Sequence, residues 1–317
     1  MFSFVKFLQS ILNRVKKNKG LWFTLLTVAS VLGIFISMSL INIMSRDVEH
    51  KTYIHVHKNI SQQLENILST QYDYLLSVGG VIAIHPDIIA NIKTQSDQSI
   101  NDLLVKSQKT INDRVHDNPI LIHYYAKDFK ASGSENFKYA NVVMETQTSI
   151  TGVVINSIGT RVVAITPVIE NNNSIGAIEI SQGITVVKNS FERLGKEFAF
   201  IVDKSQLTFM SLETKQGMTQ DIDDKYKIFF HDYNPKYYTD IRKINLEKLQ
   251  VEKYFVDEYY YTTVDEAIDI DGKKIGLFVI GESVQDTNSF VTITKNLINS
   301  ITMVALGLVI SLILFMF

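Results

Sequence analysis

A chain of 317 residues with 31 Lys and Arg against 33 Asp and Glu carries a net charge of −2, which offers no basic field to a nucleic-acid partner. The absence of cysteine excludes disulfides and thiolate metal sites and leaves the compartment open. At 46% hydrophobic residues the chain is ordinary globular material once two long apolar runs near its ends are set aside.

Met1 to Gly20 contains Lys6, Arg14, Lys16, Lys17 and Lys19 and no acidic residue, so the positive-inside bias makes 1–20 a cytoplasmic basic leader. Leu21 to Met44 follows without Asp, Glu, Lys, Arg or His. At about 1.5 Å per residue it spans roughly 36 Å, enough to cross a hydrocarbon core of about 30 Å. We read 21–44 as a first transmembrane helix rather than a cleaved signal peptide. The run exceeds the usual core of about 7–15 residues, and no small-x-small site follows it. Residues from about 45 to 295 then lie on the periplasmic or extracellular side of a bacterial inner membrane.

From Ser45 to Leu76 there is neither Pro nor Gly, and Val48, Val56, Ile60, Leu64, Ile67, Leu68, Leu75 and Leu76 recur at helical spacing. This predicts a long juxtamembrane helix over 45–76 with one buried stripe. Its more polar lower part suits a second copy of itself, so a homodimer is expected. Gly79-Gly80 and Pro86 are expected to break the helix. A second helical stretch runs from about Asp87 to His116, ended by Asn118-Pro119.

From Ile120 the pattern changes to strands: LIHYYAK, TGVVIN, TRVVAITPVI and SIGAIEISQG are short, β-branched or aromatic, and separated by turn residues. A helix from about Thr185 to Leu194, closed by Gly195, follows. The sequence then runs through EFAFIVD, a polar helical or loop region to about Tyr233, and strands near Tyr254 to Asp269 and Lys273 to Glu282. Asn296 to Phe317 is a second uncharged run, read as a second transmembrane helix over 296–317. No charged residue follows Lys295, so an output segment is expected beyond Phe317.

Pro167-Val168-Ile169-Glu170, a polar turn and Ser174-Ile175-Gly176-Ala177-Ile178-Glu179-Ile180 align with Ala267-Ile268-Asp269, an Asp271-Gly272 turn and Lys274-Ile275-Gly276-Leu277-Phe278-Val279-Ile280. The offset is 100 residues, and each hairpin leads to a strand that opens with Ile-Gly. We read two sequential modules.

This arrangement, with Arg161-Val162-Val163-Ala164-Ile165-Thr166-Pro167 leading into the first Ile-Gly strand, resembles the double Cache domain. That domain is the extracytoplasmic sensor of bacterial chemoreceptors, sensor histidine kinases and membrane diguanylate cyclases. The resemblance covers about residues 45 to 295. It implies an α+β fold with two tandem PAS-like modules, membrane-distal over 77–194 and membrane-proximal over 195–290. Each would have a five-stranded antiparallel sheet with helices on one side. It also implies a small ligand, an amino acid, carboxylate or amine, bound in the distal module.

Strand alternation selects the pocket residues, because residues of one parity share a face. Arg161 shares a face with Val163 and Ile165, Glu179 with Ser181, and His123 with Tyr125. If these faces look into one cavity, His123, Tyr125, Arg161, Glu179 and Ser181 line it, with Arg161 as a carboxylate clamp. The same residues also fit a cross-strand ion pair between Arg161 and Glu179 on a solvated face. Tyr259, Tyr260, Tyr261 and Phe255 read as core and interface rather than a ligand cage. His50, His55 and His57 do not share one helical face and make no metal site. No phosphate-cradling loop, HExxH or Gly-x-Ser-x-Gly appears, so neither an enzyme nor a cofactor is expected. The expected function is a sensory input region signalling across the membrane to an output domain. The alternative is a membrane-anchored assembly protein that docks a partner without a small ligand.

Overall fold

The computed structural model describes residues 19–93, 97–114, 118–127, 137–229 and 234–285 and, towards the C-terminus, 293, 296–304, 306–307 and 310. Most of the basic leader, 1–18, and the last seven residues of the second apolar run lie outside the described residues. The chain forms two compact units, Met1–Tyr53 with Asn288–Phe317, and Ile54–Thr287.

The fold is α+β, with a long N-terminal helix and two antiparallel sheets. Helix α1 (Lys19–Ala83) is uninterrupted, and from Ile54 onward its buried stripe is Ile60, Leu64, Leu75 and Ile82. The helix passes through Gly79-Gly80, contrary to the break expected there. A Cβ on Gly79 would sit 3.0 Å from Thr166 Oγ1 and 3.4 Å from Ile180 Cγ1. This glycine therefore lets the helix approach a sheet closely, and that packing outweighs a propensity cost of about 1 kcal/mol. The break comes after Ala83, and Pro86 opens α2 (Pro86–Lys93), the first helical position where its missing N–H costs nothing. The single helix expected over 87–116 is divided into α2 and α3 (Asp97–Asn112). The Asn112 side chain then fastens the next strand, accepting from Ile120 N at 2.8 Å and donating to Ile120 O at 3.0 Å.

The first sheet contains β1 (Ile120–Ala126), β2 (Ile150–Asn156), β3 (Gly159–Glu170) and β4 (Asn173–Gly183), in the order β1-β4-β3-β2. Helix α4 (Phe137–Thr146) intervenes after β1 and α5 (Thr185–Arg193) follows β4. The second sheet contains β5 (Glu197–Asp203), β6 (Thr219–Asp221), β7 (Tyr226–Phe229), β8 (Tyr254–Val256), β9 (Tyr260–Ile268) and β10 (Lys274–Ser283). Between these strands lie a 3-10 turn (Lys204–Phe209), α6 (Leu212–Met218), α7 (Pro235–Ile241) and α8 (Leu246–Glu252). The second sheet runs β6-β7-β5-β10-β9-β8, so the order β1-β4-β3-β2 recurs as β5-β10-β9-β8 with the β6-β7 hairpin added at one edge. Among the described residues the sheets have four and six strands, not the five that the resemblance implies.

The sequence repeat has a structural cause in the two central hairpins. Asn171 and Asn172 turn the first with φ of 47° and 62°, the pattern of a type I′ turn, and Gly272 turns the second with φ of 77°. The two Ile-Gly glycines stand at equivalent places. A Cβ on Gly176 would lie 2.9 Å from the Tyr125 carbonyl oxygen of β1, and one on Gly276 would overlap the Ile201 carbonyl oxygen of β5. Each sheet thus needs glycine where its central strand passes a neighbour's backbone.

Helices cover both faces of each sheet. On one face of the first sheet α1 contributes a Gln71–Gln182 hydrogen bond beside the Gly79 contact. On the corresponding face of the second it contributes Ser61 Oγ to Asp265 Oδ2 at 2.6 Å and His57 Nδ1 to Thr263 Oγ1 at 2.6 Å. Thr263 donates its own proton to Lys253 O at 2.8 Å, so His57 must supply the hydrogen from Nδ1. The opposite face of the second sheet packs Ala199, Ile201, Val264, Leu277 and Val279 against Tyr237 and Ile241 of α7 and Leu246 and Leu249 of α8.

Among the described residues no single helix is long and apolar enough to cross a membrane. A pair bent by 61°, Ser39–Ala83 with Pro86–Lys93, meets the length and composition together. In the unit formed by the two ends of the chain, Val28, Leu32, Phe35, Ile36, Leu40, Ile43 and Met44 are exposed, as are Leu297, Ile301, Met303 and Val304.

Candidate ligand-binding site

Sheet register decides which predicted site residues meet. Between β1 and β4, His123 stands opposite Glu179 and Tyr125 opposite Ala177. Between β3 and β4, Ile165 stands opposite Glu179, Val163 opposite Ser181 and Arg161 opposite Gly183. By alternation His123, Tyr125, Arg161, Glu179 and Ser181 all fall on one face of the first sheet, the face turned away from α1. Helix α4 covers it, packing Tyr139, Ala140, Val143 and Met144 against Tyr125, Val163, Ile165 and Ala177.

The polar groups on this face are held by specific bonds. Tyr125 Oη donates to Glu179 Oε2 at 2.7 Å, and the His123 ring meets the Tyr125 ring edge-on with centroids 4.6 Å apart. Arg161 donates from Nε to Ser181 Oγ at 3.0 Å and from Nη2 to Ser181 O at 2.9 Å. Glu179 and Ser181 are only 5% and 3% exposed, whereas His123 is exposed. The face that carries Arg161 and Glu179 is therefore not the solvated one of the alternative reading. Arg161 is registered against Gly183, and the carboxylate is buried. Burial pushes the Arg161 guanidinium down to about 10, and the Glu179 charge opposes that shift. The face thus holds a guanidinium of which two N–H donors grip Ser181, and near it the buried Glu179 side chain. Such a pair of opposite charges in a poorly solvated setting can recognise a small molecule bearing both an anionic and a cationic group.

A separate cavity of about 310 Å³ opens where the two sheets adjoin. None of the five predicted residues lines it, although Tyr139 and Val154 belong both to its wall and to the cluster under α4. Lys138, Tyr139, Gln206 and Asp271 here are groups the sequence reading did not select as site residues. Of these four, only Asp271 stands in a motif that the sequence marks, the Asp271-Gly272 turn. The aromatic run near Tyr260 disperses rather than converging: Tyr261 is buried and stacks on Tyr254, Tyr260 meets Tyr237 edge-on, and Lys236 Nζ lies 3.0 Å from the Tyr259 ring centroid.

No protein-family model and no curated protein matches the sequence. Among solved structures, the chain is similar to bacterial sensor domains. The sensor domain of the Vibrio cholerae histidine kinase DctB matches at 10% identity and a TM-score of 0.39, with 73% of this chain and 98% of that one covered. The ligand-binding domain of the Campylobacter jejuni chemoreceptor Tlp3, in complex with L-valine, matches at 12% and 0.39, covering 75% and 96%. The extracellular domain of the putative histidine kinase vpHK1S-Z8 matches at 11% and 0.42, also covering 75% and 96%.

Proposed function

We propose that this chain is the input region of a transmembrane sensory receptor of the double Cache kind, whose first module, 77–194, binds a small amino-acid-like ligand. The observation that carries the reading is that Arg161 and the buried Glu179 lie on one sheet face beneath α4, near enough for the Glu179 charge to act on the guanidinium. Arg161 would take the ligand carboxylate and Glu179 its ammonium group, with Tyr125, Ser181 and His123 fixing orientation. The second module, 195–290, has the same strand order and contacts the same helix, α1, which supports a role in relaying the response. A ligand that favours one arrangement of the first sheet biases α1 through the Gly79 and Gln71 contacts, and α1 meets the second sheet at His57 and Ser61.

Two membrane helices, 21–44 and 296–317, complete the proposal, with 1–20 cytoplasmic, the modules on the periplasmic or extracellular side, and a homodimer as the signalling unit. The exposed apolar side chains between Val28 and Met44 and between Leu297 and Val304 support this, because so many large apolar groups on helix surfaces call for a non-aqueous environment. The module reading involves binding and no catalysis.

The test is calorimetric titration of the full chain in detergent micelles with a panel of amino acids, each compared with the amine and the carboxylate that share its side chain. Saturable binding of a zwitterion, weakened at least tenfold by both Arg161→Ala and Glu179→Gln, is expected. Heat from no member of the panel, or binding that neither substitution alters, would refute the assignment. Sidedness follows from single cysteines introduced at positions 10 and 158 of this cysteine-free chain and labelled in intact cells with an impermeant maleimide. Position 158 should react and position 10 should not.

A further inference from the structure

Within Ile54–Thr287 the two sheets meet along a seam. Val153 of β2 forms an isolated parallel bridge with Asp269, and a Cβ on Gly152 would lie 2.5 Å from Ile270 Cγ1. The cavity of about 310 Å³ lies beside this seam, at the lower end of the range of about 300–1,000 Å³ for small-molecule sites. Its apolar walls come from both sheets and their flanking elements: Tyr139, Val154 and Ile155 on one side, Phe209 and Ile275 on the other.

The charged groups at its rim are unequally engaged. Asp271 pairs with Lys138 and accepts from Tyr139 Oη at 2.8 Å. Asp269 Oδ1 accepts the backbone N–H groups of Asp271 at 2.9 Å and of Lys273 at 2.8 Å. Both carboxylates are thus occupied in holding the β9–β10 turn and its link to α4. The Lys273 ammonium is placed differently: its hydrogen bond goes to a neutral oxygen, Gln206 Oε1, at 3.3 Å, and it acts on Asp271 only through space, as the last of that carboxylate's influences. A cation whose hydrogen-bond partner is neutral, at the mouth of an apolar slot, favours an anion whose body can enter the slot.

We propose that this cavity is a second ligand site, for a small carboxylate carrying one aromatic or branched aliphatic group. The carboxylate pairs with Lys273, and the apolar group lies between the Tyr139 and Phe209 rings over Val154, Ile155 and Ile275. Because the walls belong to both sheets, the bound molecule joins them and stabilises the seam beyond the Lys138–Asp271 link. The site shares none of the five residues of the face beneath α4, so its occupancy does not depend on Arg161 or Glu179.

The probe is benzoate, with benzylamine as a control of matching size and opposite charge, titrated into the full chain in detergent micelles and followed by saturation-transfer NMR and calorimetry. Benzoate is expected to bind saturably and benzylamine at least tenfold more weakly. Lys273→Met should weaken benzoate at least tenfold. That side chain is exposed, so the fold is retained, as circular dichroism will verify. Phe209→Ala should also weaken benzoate, whereas Arg161→Ala should leave it unchanged. Absence of saturable benzoate binding, equal binding of benzylamine, or full affinity in Lys273→Met would overturn the proposal. Loss of benzoate in Arg161→Ala with retention in Lys273→Met would place the carboxylate on the first sheet instead, refuting this site while leaving the one beneath α4 standing.

Discussion

Gly276→Ala is the most sensitive probe of the repeated hairpin. The new methyl group would overlap the Ile201 carbonyl oxygen, and that oxygen belongs to backbone paired in the sheet, so no side-chain rotation can relieve the contact. The β5 and β10 strands must part locally. Overpacking of this kind costs about 1–3 kcal/mol, and weakening one buried backbone hydrogen bond adds about 1 kcal/mol. We expect a loss of about 3 kcal/mol, which for a unit the size of Ile54–Thr287 lowers the melting temperature by about 6–12 °C. Gly176→Ala should cost less, because two of its three close neighbours are atoms of the Tyr124 ring, which can turn aside. Gly80→Ala is the control. A Cβ there meets nothing within 4 Å, so the gain in helix propensity should stabilise the protein by about 1 kcal/mol. Thermal and urea unfolding of the full chain, followed by circular dichroism, give the ranking Gly80→Ala above wild type above Gly176→Ala above Gly276→Ala. The reasoning fails if Gly276→Ala lies within about 0.5 kcal/mol of wild type, or if Gly80→Ala destabilises as much.

Tyr125→Phe removes a hydrogen bond to a buried carboxylate and should cost about 1.5–3 kcal/mol in urea unfolding, and a loss below about 0.5 kcal/mol would contradict the buried geometry. Burial holds the His57 imidazolium below its usual range, with Lys253 and Lys58 acting in the same direction and Asp265 against them. The unfolded chain therefore binds the proton more readily. The His57 contribution is full above about pH 6.5 and is lost as pH falls through the lower folded value, a slope that His57→Gln should abolish. Asp271 is held below the usual carboxylate range by its hydrogen bonds with Lys138 and Tyr139. Its contribution is present above about pH 4 and lost on further acidification. Because the pair is largely exposed, Asp271→Asn should cost no more than about 1 kcal/mol at pH 7, an effect that shrinks below pH 4 and in high salt.

Strand positions and facing were largely legible in the sequence because they rest on alternation, which register preserves. EFAFIVD is β5 residue for residue, and the parity of Arg161, Glu179 and Tyr125 brought them to one face. Elements whose stability comes from tertiary contact were not legible. Gly79-Gly80 reads locally as a helix breaker, and only the proximity of Thr166 and Ile180 explains why the helix continues. Helix α4, with its short apolar stripe of Tyr139, Ala140, Val143 and Met144, and the short β6–β7 hairpin, which lies in the region read as polar helix or loop, were missed. Neither is long enough to stand out against neighbouring polar residues. The cavity at the seam was out of reach for a further reason: it joins Lys138 to Asp271, which lie 133 positions apart.

The contacts of α1 with the second sheet impose an order on synthesis. Ser61 and His57 wait for Asp265 and Thr263, which follow them by 204 and 206 positions. At a translation rate of about 5–20 residues per second, the helix is made some 10–40 s before those partners leave the ribosome. During that interval the stripe through Ile60 and Leu64 has no second sheet to cover it. Closing so long a loop is also the slow, nonlocal kind of folding step. Helix α1 can therefore complete its packing only after nearly the whole second sheet has emerged, and a ribosome stalled before β9 would hold a nascent chain with an open apolar stripe.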